Sequence, residues 1–376
     1  MRTRRLVIVA VLIIGFVFSA TASAQTYTAI DLGTLGGTRS AAYGVNNFGQ
    51  VVGHSYTTGD ATYHAFITGP NGVGMTDLGA LGGSLSEAFG INSAGQAVGS
   101  STSGAFVTGP NGVGVTFLGT LVGTSSGAYG INNAGQVVGS AGTAGNAVYR
   151  AFLTGANGES VAFLGGAGGS SLATGINNSG QVVGYVVSSV GETTAFITGF
   201  NGIGITALGN LGGSANIAYD INEAGQVVGG ASERSPVSVS HAFMTGANGI
   251  GITDLGTLGG SYSFADEINN VGQVVGYSET AGNVVHAFVT GAHGVGMTDL
   301  NSMVTLSDGS YLSLATGIND AGQIIANAIN GRAYLITVAV PEVETYAMML
   351  TGLSLLGLPA LYRKQKRLQT SSKNYS

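Results

Sequence analysis

Residues 130–140 read GINNAGQVVGS, and near-copies of this stretch recur along the whole chain. There are seven copies, and their glutamines lie 46, 40, 45, 45, 47 and 50 residues apart: Gln50, Gln96, Gln136, Gln181, Gln226, Gln273 and Gln323. A near-constant period in this range indicates a repeat architecture, in which each unit is one supersecondary element that packs on its neighbours. The period therefore decides the fold.

Each copy predicts a β-hairpin. The order of residues matches a three-residue hairpin loop with Gly in the left-handed conformation: an Ile-Asn pair, then three turn residues ending in Gly, then a Gln-Val-Val run. The asparagine is expected to hydrogen-bond the turn backbone with its side chain. A ring of ligand-binding amides is the alternative. The seven asparagines are Asn46, Asn92, Asn132, Asn177, Asn222, Asn269 and Asn319.

Four strand-like runs recur in every unit: AxGIN, GQVVG, HAF-like and GVGMTDLG-like segments, with an Asn-Gly turn between the last two. Seven units of four short antiparallel strands predict an all-β, seven-bladed β-propeller. Residues 26–33 (TYTAIDLG) match a fourth strand, whereas the last unit ends at its third strand, RAYLIT, residues 332–337. The N-terminal strand is therefore expected to complete the last blade and to protect two sheet edges. A β-solenoid is the alternative.

The repeats resemble the bacterial extracellular repeat, HAF family. The tripeptide that gives the family its name stands at residues 64–66, 241–243 and 286–288, and the DLGTLGG and GQVVG elements are similar to those of the same family. The likeness spans about residues 26–338. It implies a secreted or surface location and no settled biochemical activity.

The N-terminus has the pattern of a secretory signal peptide. Three arginines precede an uncharged apolar run, residues 6–18, and an A-x-A cleavage site follows at Ala22 and Ala24, just before Gln25. A retained membrane helix is the alternative, but the apolar run is short for a bilayer span. Residues 1–24 are therefore set apart from the repeat domain, residues 25–340.

The C-terminus has a second apolar segment. Pro341 and Glu342 precede an uncharged run, residues 346–362, and a basic cluster follows, composed of Arg363, Lys364, Lys366 and Arg367. This order resembles a PEP-CTERM sorting signal, although Val343 stands where the pattern usually has a second proline. The resemblance implies a Gram-negative bacterium and exosortase-like processing of residues 341–367, ahead of a cytoplasmic or disordered tail, residues 368–376. A plain transmembrane helix is the alternative.

Composition excludes several classes of function. The chain has no cysteine, so it uses neither disulfides nor thiol chemistry. Residues 25–340 contain four arginines, no lysine and sixteen acidic residues, a formal charge of −12. A nucleic-acid surface needs clustered cations, and the four arginines of this domain are far apart in the sequence.

No catalytic set, metal site or cofactor site is predicted. His64, His241 and His286 share one repeat position and are expected to be plain exposed strand residues, because four other copies lack histidine there. An aspartate recurs in the DLG element of some copies, at Asp31, Asp77, Asp254 and Asp299, but Phe117, Phe163 and Ala207 replace it in others. The sequence contains no calcium-loop motif.

These observations favour a non-enzymatic, exported repeat protein at the cell surface or in the extracellular matrix. Its expected activity is binding or adhesion, with polysaccharide as the partner. Four tyrosines outside the strict repeat positions suit sugar stacking: Tyr56, Tyr63, Tyr185 and Tyr277. The alternatives are an extracellular glycan-acting enzyme that uses the propeller funnel, and a purely structural matrix protein. Acidic side chains clustered with arginine at the axis would favour the enzyme.

Overall fold

A computed structural model of the protein describes residues 27–119, 123–146, 148–165, 169–233 and 239–338. These residues form 28 β-strands and seven short 3-10 turns. None of the helical turns among them is long and apolar enough to cross a membrane. The strands form seven antiparallel sheets of four strands each, arranged as the blades of a β-propeller, so this prediction is confirmed and the solenoid alternative is wrong.

Blades 1 to 3 contain strands β2 to β13, in chain order from the inner to the outer edge of each sheet. The strands of blade 1 are β2 Gly36–Val45, β3 Val51–Thr57, β4 Tyr63–Thr68 and β5 Met75–Gly79. Those of blade 2 are β6 Ser86–Ile91, β7 Ala97–Ser101, β8 Gly104–Thr108 and β9 Val115–Gly119. Those of blade 3 are β10 Ser126–Ile131, β11 Gln136–Gly142, β12 Tyr149–Ala156 and β13 Val161–Phe163.

Blades 4 to 6 repeat this order. Blade 4 has β14 Gly169–Ile176, β15 Val182–Ser188, β16 Thr193–Thr198 and β17 Ile205–Ala207. Blade 5 has β18 Gly212–Ile221, β19 Val227–Glu233, β20 Ser240–Met244 and β21 Thr253–Asp254. Blade 6 has β22 Gly259–Ile268, β23 Val274–Thr280, β24 Val285–Thr290 and β25 Met297–Asp299.

Blade 7 is assembled from both ends of the described chain. It has β26 Leu312–Ile318, β27 Ile324–Ala328 and β28 Ala333–Val338, and its fourth strand is β1 Tyr27–Asp31. Strand β1 runs antiparallel to β28, from the Tyr27–Val338 pair to the Asp31–Tyr334 pair. The N-terminal strand thus closes the ring, as the sequence predicts.

The core consists of aliphatic and aromatic side chains packed between neighbouring sheets. Its repeated element is the phenylalanine of the HAF position on the third strand, which is fully buried in six blades: Phe66, Phe106, Phe152, Phe196, Phe243 and Phe288. The last glycine of GQVVG lies beneath this ring. A Cβ at Gly139 would lie 2.9 Å from Cζ of Phe152 and 2.0 Å from the carbonyl oxygen of Gly127, so the second strand has no room for a side chain there.

The loop between the third and fourth strands is longer than a two-residue hairpin. In blade 1 the chain leaves β4 at Thr68 and makes a 3-10 turn at Pro70–Gly72, with φ of 55° at Asn71 and 71° at Gly72. The Asn-Gly pair supplies the two left-handed positions that such a turn requires. An exposed β-branched residue follows the turn in five blades: Val73, Val113, Ile203, Ile250 and Val295.

A bulge shapes the inner strand of every blade. The pairing of the first two strands shifts by one residue at the same place in all seven sheets, and the bulged residues are Tyr43, Phe89, Tyr129, Thr174, Tyr219, Asp266 and Thr316. A bulge re-aims the side chain of the extra residue. Here the seven bulged residues line a cavity on the propeller axis.

Candidate functional site

The asparagine of each repeat caps its hairpin turn. In blade 3, Oδ1 of Asn132 accepts hydrogen bonds from the backbone N–H groups of Ala134 (3.1 Å) and Gln136 (3.0 Å). The asparagine side chains are nearly inaccessible, with 3–5% exposure in the copies of blades 1 to 7. This arrangement satisfies turn amides that would otherwise lie buried without partners.

The same side chains form a closed ring around the axis. Each Nδ2 donates to the backbone carbonyl of the corresponding asparagine in the next blade, at 2.9–3.2 Å, and Asn319 of blade 7 donates to Asn46 of blade 1. Each Nδ2 also donates to the glutamine of its own hairpin. Both amide hydrogens are therefore used within the protein, and the ring has no donor left for a ligand.

A second ring lies one residue further along, at the exposed end of the cavity. In blades 2 to 7, the residue after the capping asparagine donates its backbone N–H to the side chain of the corresponding residue in the next blade. In blade 7, for example, the N–H of Asp320 donates to Oδ1 of Asn47 in blade 1, at 2.9 Å. The other described links of this ring are made by Asn133, Asn178, Glu223, Asn270 and Asp320 as acceptors. Together the two rings tie the seven inner hairpins into one rim.

The axial cavity has a volume of about 300 Å³ and an unusual charge balance. Its wall is built from the bulged residues, the Gly-Ile-Asn segments and the two polar rings. The lining residues include five carboxylates and no lysine, arginine or histidine: Asp220, Glu223, Asp266, Glu267 and Asp320. The cavity is therefore a polar funnel lined by acidic side chains without cationic partners.

Three of these acids break the repeat symmetry. Asp220 and Glu267 replace the glycine that precedes Ile-Asn in the five other blades, and Asp266 replaces the aromatic or threonine residue of the bulge. The glycine normally allows adjacent inner strands to approach closely, since a Cβ at Gly44 would lie 2.8 Å from the carbonyl oxygen of Phe89. The two acids instead extend toward the next blade, where Oδ2 of Asp220 accepts from the N–H of Ile268 at 3.1 Å.

The environment of these acids favours their protonated forms. Burial raises the pKa of Asp266 to about 8, and its Oδ2 atom is buried with no hydrogen-bond partner among the described residues. Burial raises the pKa of Asp220 to about 6, against hydrogen bonds from backbone N–H groups that lower it. The pKa of Glu267 is raised by burial and further by the nearby charge of Asp220. The cavity thus contains proton-donating carboxyl groups near neutral pH.

Aromatic rings form the opposite wall of the cavity. The ring centroids of Tyr43 and Phe89 lie 5.4 Å apart, and those of Phe89 and Tyr129 lie 5.6 Å apart. Tyr219 of blade 5, next to Asp220 in the chain, also lines the cavity. Apolar ring faces next to hydrogen-bonding oxygens are the combination that sugar-binding sites use.

The tyrosines singled out from the sequence lie elsewhere and are half-buried. Tyr56 and Tyr63 face each other across β3 and β4, with ring centroids 5.5 Å apart. Tyr277 stacks on Phe264 at 5.3 Å, and the Asp266 carboxyl adds to the burial that raises the pKa of this tyrosine. They pack against other side chains, and Tyr277 supports the acidic part of the cavity wall.

The histidines of the HAF position are half-buried and paired, not plain exposed residues as expected. Nδ1 of His64 lies 3.0 Å from Asp77, that of His241 lies 2.9 Å from Asp254, and that of His286 lies 2.7 Å from Asp299. In blade 7, Arg332 pairs with Asp31 at 3.0 Å. In blades without aspartate the third-strand residue changes too, as with Arg150, which lies over the Phe163 ring at 5.5 Å. The replacement of aspartate in some DLG elements follows from this pairing.

The acidic trio was not predicted, although the sequence contains the signal. Copies five and six read DIN and EIN where the other copies read GIN or GVN, and the preceding residue of copy six is Asp266. Treating the copies as equivalent hides such departures, and the departures are what mark a specific site. The predicted cleavage residues Ala22, Ala24 and Gln25 lie outside the described residues, as do all the residues of the predicted sorting signal.

Comparison with known proteins supports the fold alone. No family model and no curated protein sequence matches the chain. A catalytically inactive virginiamycin B lyase from Staphylococcus aureus, solved with quinupristin, is similar with a TM-score of 0.53, 11% identity, and coverage of 83% of this chain and 100% of that one. The Pan2 WD40 domain of Neurospora crassa gives a TM-score of 0.45 and 9% identity, over 85% and 98% of the two chains. TolB of Acinetobacter baumannii gives a TM-score of 0.41 and 11% identity, and the match covers 62% of this chain and 59% of TolB.

Proposed function

We propose that the protein is an exported, non-enzymatic binding propeller whose axial cavity takes a sugar unit of an extracellular polysaccharide. The observation that supports this proposal is the make-up of the cavity, which combines aromatic faces, five carboxylates and no cationic side chain. Carboxyl and carboxylate groups hydrogen-bond sugar hydroxyls, and the tyrosine and phenylalanine rings offer faces for stacking.

The charge of the cavity narrows the class of sugar. An acidic polysaccharide would place its carboxylates or sulfates beside the other two acids of the lining, Glu223 and Asp320, and a like-charge contact opposes binding. A neutral unit avoids this repulsion. An amine-bearing unit gains from the acidic wall. Neutral or amino-sugar polymers are therefore the proposed ligands.

Export and surface sorting belong to the same proposal. The signal-peptide pattern, the PEP-CTERM-like segment with Pro341 and Glu342, and the resemblance to HAF repeats support release from a Gram-negative cell through exosortase-like machinery. The membrane would then be a partner of the C-terminal segment before processing, and the propeller would act outside the cell.

A glycan-acting enzyme is the second candidate, and a specific observation favours it. Glycoside hydrolysis uses paired carboxyl groups, one of which is held protonated near neutral pH. Burial gives Asp266 a pKa of about 8, within the same cavity as Asp220 and Glu267. The lining residues contain no arginine, which was the other half of the expected signature of the enzyme.

A retention assay on immobilised polysaccharides tests the proposal. The purified chain is applied to neutral, amino-sugar and acidic polymers, and the polymers are then analysed for shortened chains. The matched variant restores the repeat consensus through Asp220→Gly and Glu267→Gly, the residues of five other blades, and Asp266→Thr, the residue of blades 4 and 7.

Each outcome separates the candidates. Retention by neutral or amino-sugar polymers, lost in the consensus variant and without shortening, supports the binding function. Shortened polymer that the variant does not produce establishes the enzyme instead. Equal retention of the two proteins would place binding outside the cavity. Retention of neither protein on any polymer would leave a purely structural matrix protein.

A further inference from the structure

Blade 5 contains a second cluster of chemically competent side chains, remote from the lining of the axial cavity. Glu233 ends β19, His241 lies in β20 and Asp254 ends β21, so three adjacent strands each contribute one residue. Nδ1 of His241 lies 3.1 Å from Oε1 of Glu233 and 2.9 Å from Oδ2 of Asp254. Among the described residues, this is the one group in which three potential ligand atoms lie within 4.8 Å of one another.

Two other blades of the propeller allow this cluster to be compared with equivalent positions that lack the third carboxylate. Blades 1 and 6 have the same histidine–aspartate pair, at His64 with Asp77 and at His286 with Asp299. Those blades hold a threonine at the repeat position of Glu233, namely Thr57 and Thr280, each paired in the same register with the first residue of the inner strand. The pair is thus a structural feature of the HAF repeat, whereas the third carboxylate is specific to blade 5.

The extra carboxylate is more than the pair needs. A single imidazole, even when protonated, balances one of the two carboxylates, so the cluster retains a net negative charge. All three side chains are reachable by water, with 18% exposure for His241, 33% for Glu233 and 37% for Asp254. One imidazole nitrogen and two carboxylate oxygens are ligands that Zn²⁺ accepts in three-ligand sites, where water fills the remaining position.

We propose that Glu233, His241 and Asp254 form a Zn²⁺ site in blade 5. The metal binds Nδ1 of His241 and one oxygen from each carboxylate, and a water molecule completes a tetrahedron. The cation neutralises the two carboxylates and links β19, β20 and β21, the three outer strands of blade 5.

The required movement is small. Ligands about 2.0–2.1 Å from a tetrahedral zinc lie about 3.3 Å from each other. The nitrogen–oxygen distances of 2.9 and 3.1 Å therefore need to open by a few tenths of an ångström, and the two carboxylate oxygens, which lie within 4.8 Å of each other, need to reach the same separation. The two carboxylate side chains are partly exposed and have room to rotate.

Titration of the purified metal-free chain with ZnCl2 tests the site, with isothermal calorimetry for affinity and stoichiometry and thermal unfolding for stability. The expected result is one Zn²⁺ per chain and a melting temperature that rises with zinc concentration. Glu233→Thr, which copies the arrangement of blades 1 and 6, should weaken the affinity by roughly tenfold or more because one of three ligands is lost. His286→Gln alters a pair without a third carboxylate and should leave the affinity unchanged.

A gain-of-site variant keeps the test decisive. Thr280→Glu places a carboxylate beside His286 and Asp299 in blade 6, and should raise the stoichiometry to two Zn²⁺ per chain. Absence of binding below millimolar zinc, or equal affinity in the Glu233→Thr variant, would overturn the proposal and leave an ion-pair network centred on His241. Binding that His286→Gln weakens as much as Glu233→Thr does would also overturn it, since the histidines would then bind the metal without selectivity.

Discussion

At the scale of single residues, the side-chain amide of the repeated asparagine has two structural roles. Its Oδ1 atom caps the hairpin, and its Nδ2 atom links each blade to the next. The capping follows from the Ile-Asn-turn-Gly pattern, so the sequence predicts it. The interblade bond depends on the distance between neighbouring hairpins, which is a property of the closed ring and cannot be read from one repeat.

Substitution of Asn132 separates these two roles. Asn132→Ala removes all four hydrogen bonds and should lower the free energy of unfolding by about 3 kcal/mol, because the turn amides are left without partners. Asn132→Asp keeps the acceptor but turns an oxygen toward the carbonyl of Asn177. If the ring contributes to stability, urea denaturation will show Asn132→Asp to be nearly as destabilised as the alanine variant. A value close to wild type would mean that only the cap matters. The control is Ser307→Ala, at an exposed position outside both rings.

The raised pKa of Asp266 leads us to expect that the stability of the folded protein depends on pH. Its pKa is raised by burial from an ordinary value near 3.8 to about 8, so between these pH values the folded state holds a proton that the unfolded state has released. Its contribution to stability is therefore fully present below pH 3.8 and is lost progressively as the pH rises to about 8. Asp266→Thr should melt at a higher temperature than wild type at pH 8, and this advantage should shrink at pH 5. An advantage that is constant across pH would show that the carboxyl group does not titrate in this range.

At the scale of strands and turns, the repeat pattern predicts most of the fold and little of the site. The four strand-like runs, the N-terminal closing strand and the buried phenylalanines all follow from features shared by the copies. The site follows from what the copies do not share, such as Asp220, Asp266, Glu267 and Glu233. Such residues are overlooked when the copies are read as one consensus. The bulge that brings Asp266 into the cavity depends on the pairing of strands in the sheet, which the local composition does not show.

Gly139 tests the packing of the second strand against the third. A methyl group at this position would lie 2.0 Å from the carbonyl oxygen of Gly127 and 2.9 Å from the Phe152 ring, so β10 or the ring must move. Gly139→Ala should cost about 1–3 kcal/mol in the free energy of unfolding, the usual range for overpacking. The control is Gly282→Ala, where the nearest atom is 3.7 Å away and little change is expected. Equal values for the two variants in urea denaturation would contradict this account of the close packing at Gly139.

At the scale of the whole molecule, closure makes the propeller depend on a strand that comes from the other end of the chain. Without β1, blade 7 would expose the edge of β28, and the pairing of five residues from Tyr27 to Asp31 would be lost together with the Arg332–Asp31 contact. An exposed strand edge offers unpaired N–H and C=O groups to other chains. The predicted signal-peptide cleavage before Gln25 would leave β1 whole, which is what folding after export requires.

Deletion of residues 27–31 tests this dependence. The shortened chain should melt at a temperature at least about 4 °C lower than a chain that starts at Gln25, because a cooperative ring loses one of its 28 strands. It should also elute from size-exclusion chromatography as dimers or larger species, since β28 then pairs with an edge from another copy. A synthetic peptide with the sequence of β1 should restore the monomer by filling the vacant edge. A deleted chain that stays monomeric with an unchanged melting temperature would show that contacts between blades, rather than the shared sheet of blade 7, hold the ring closed.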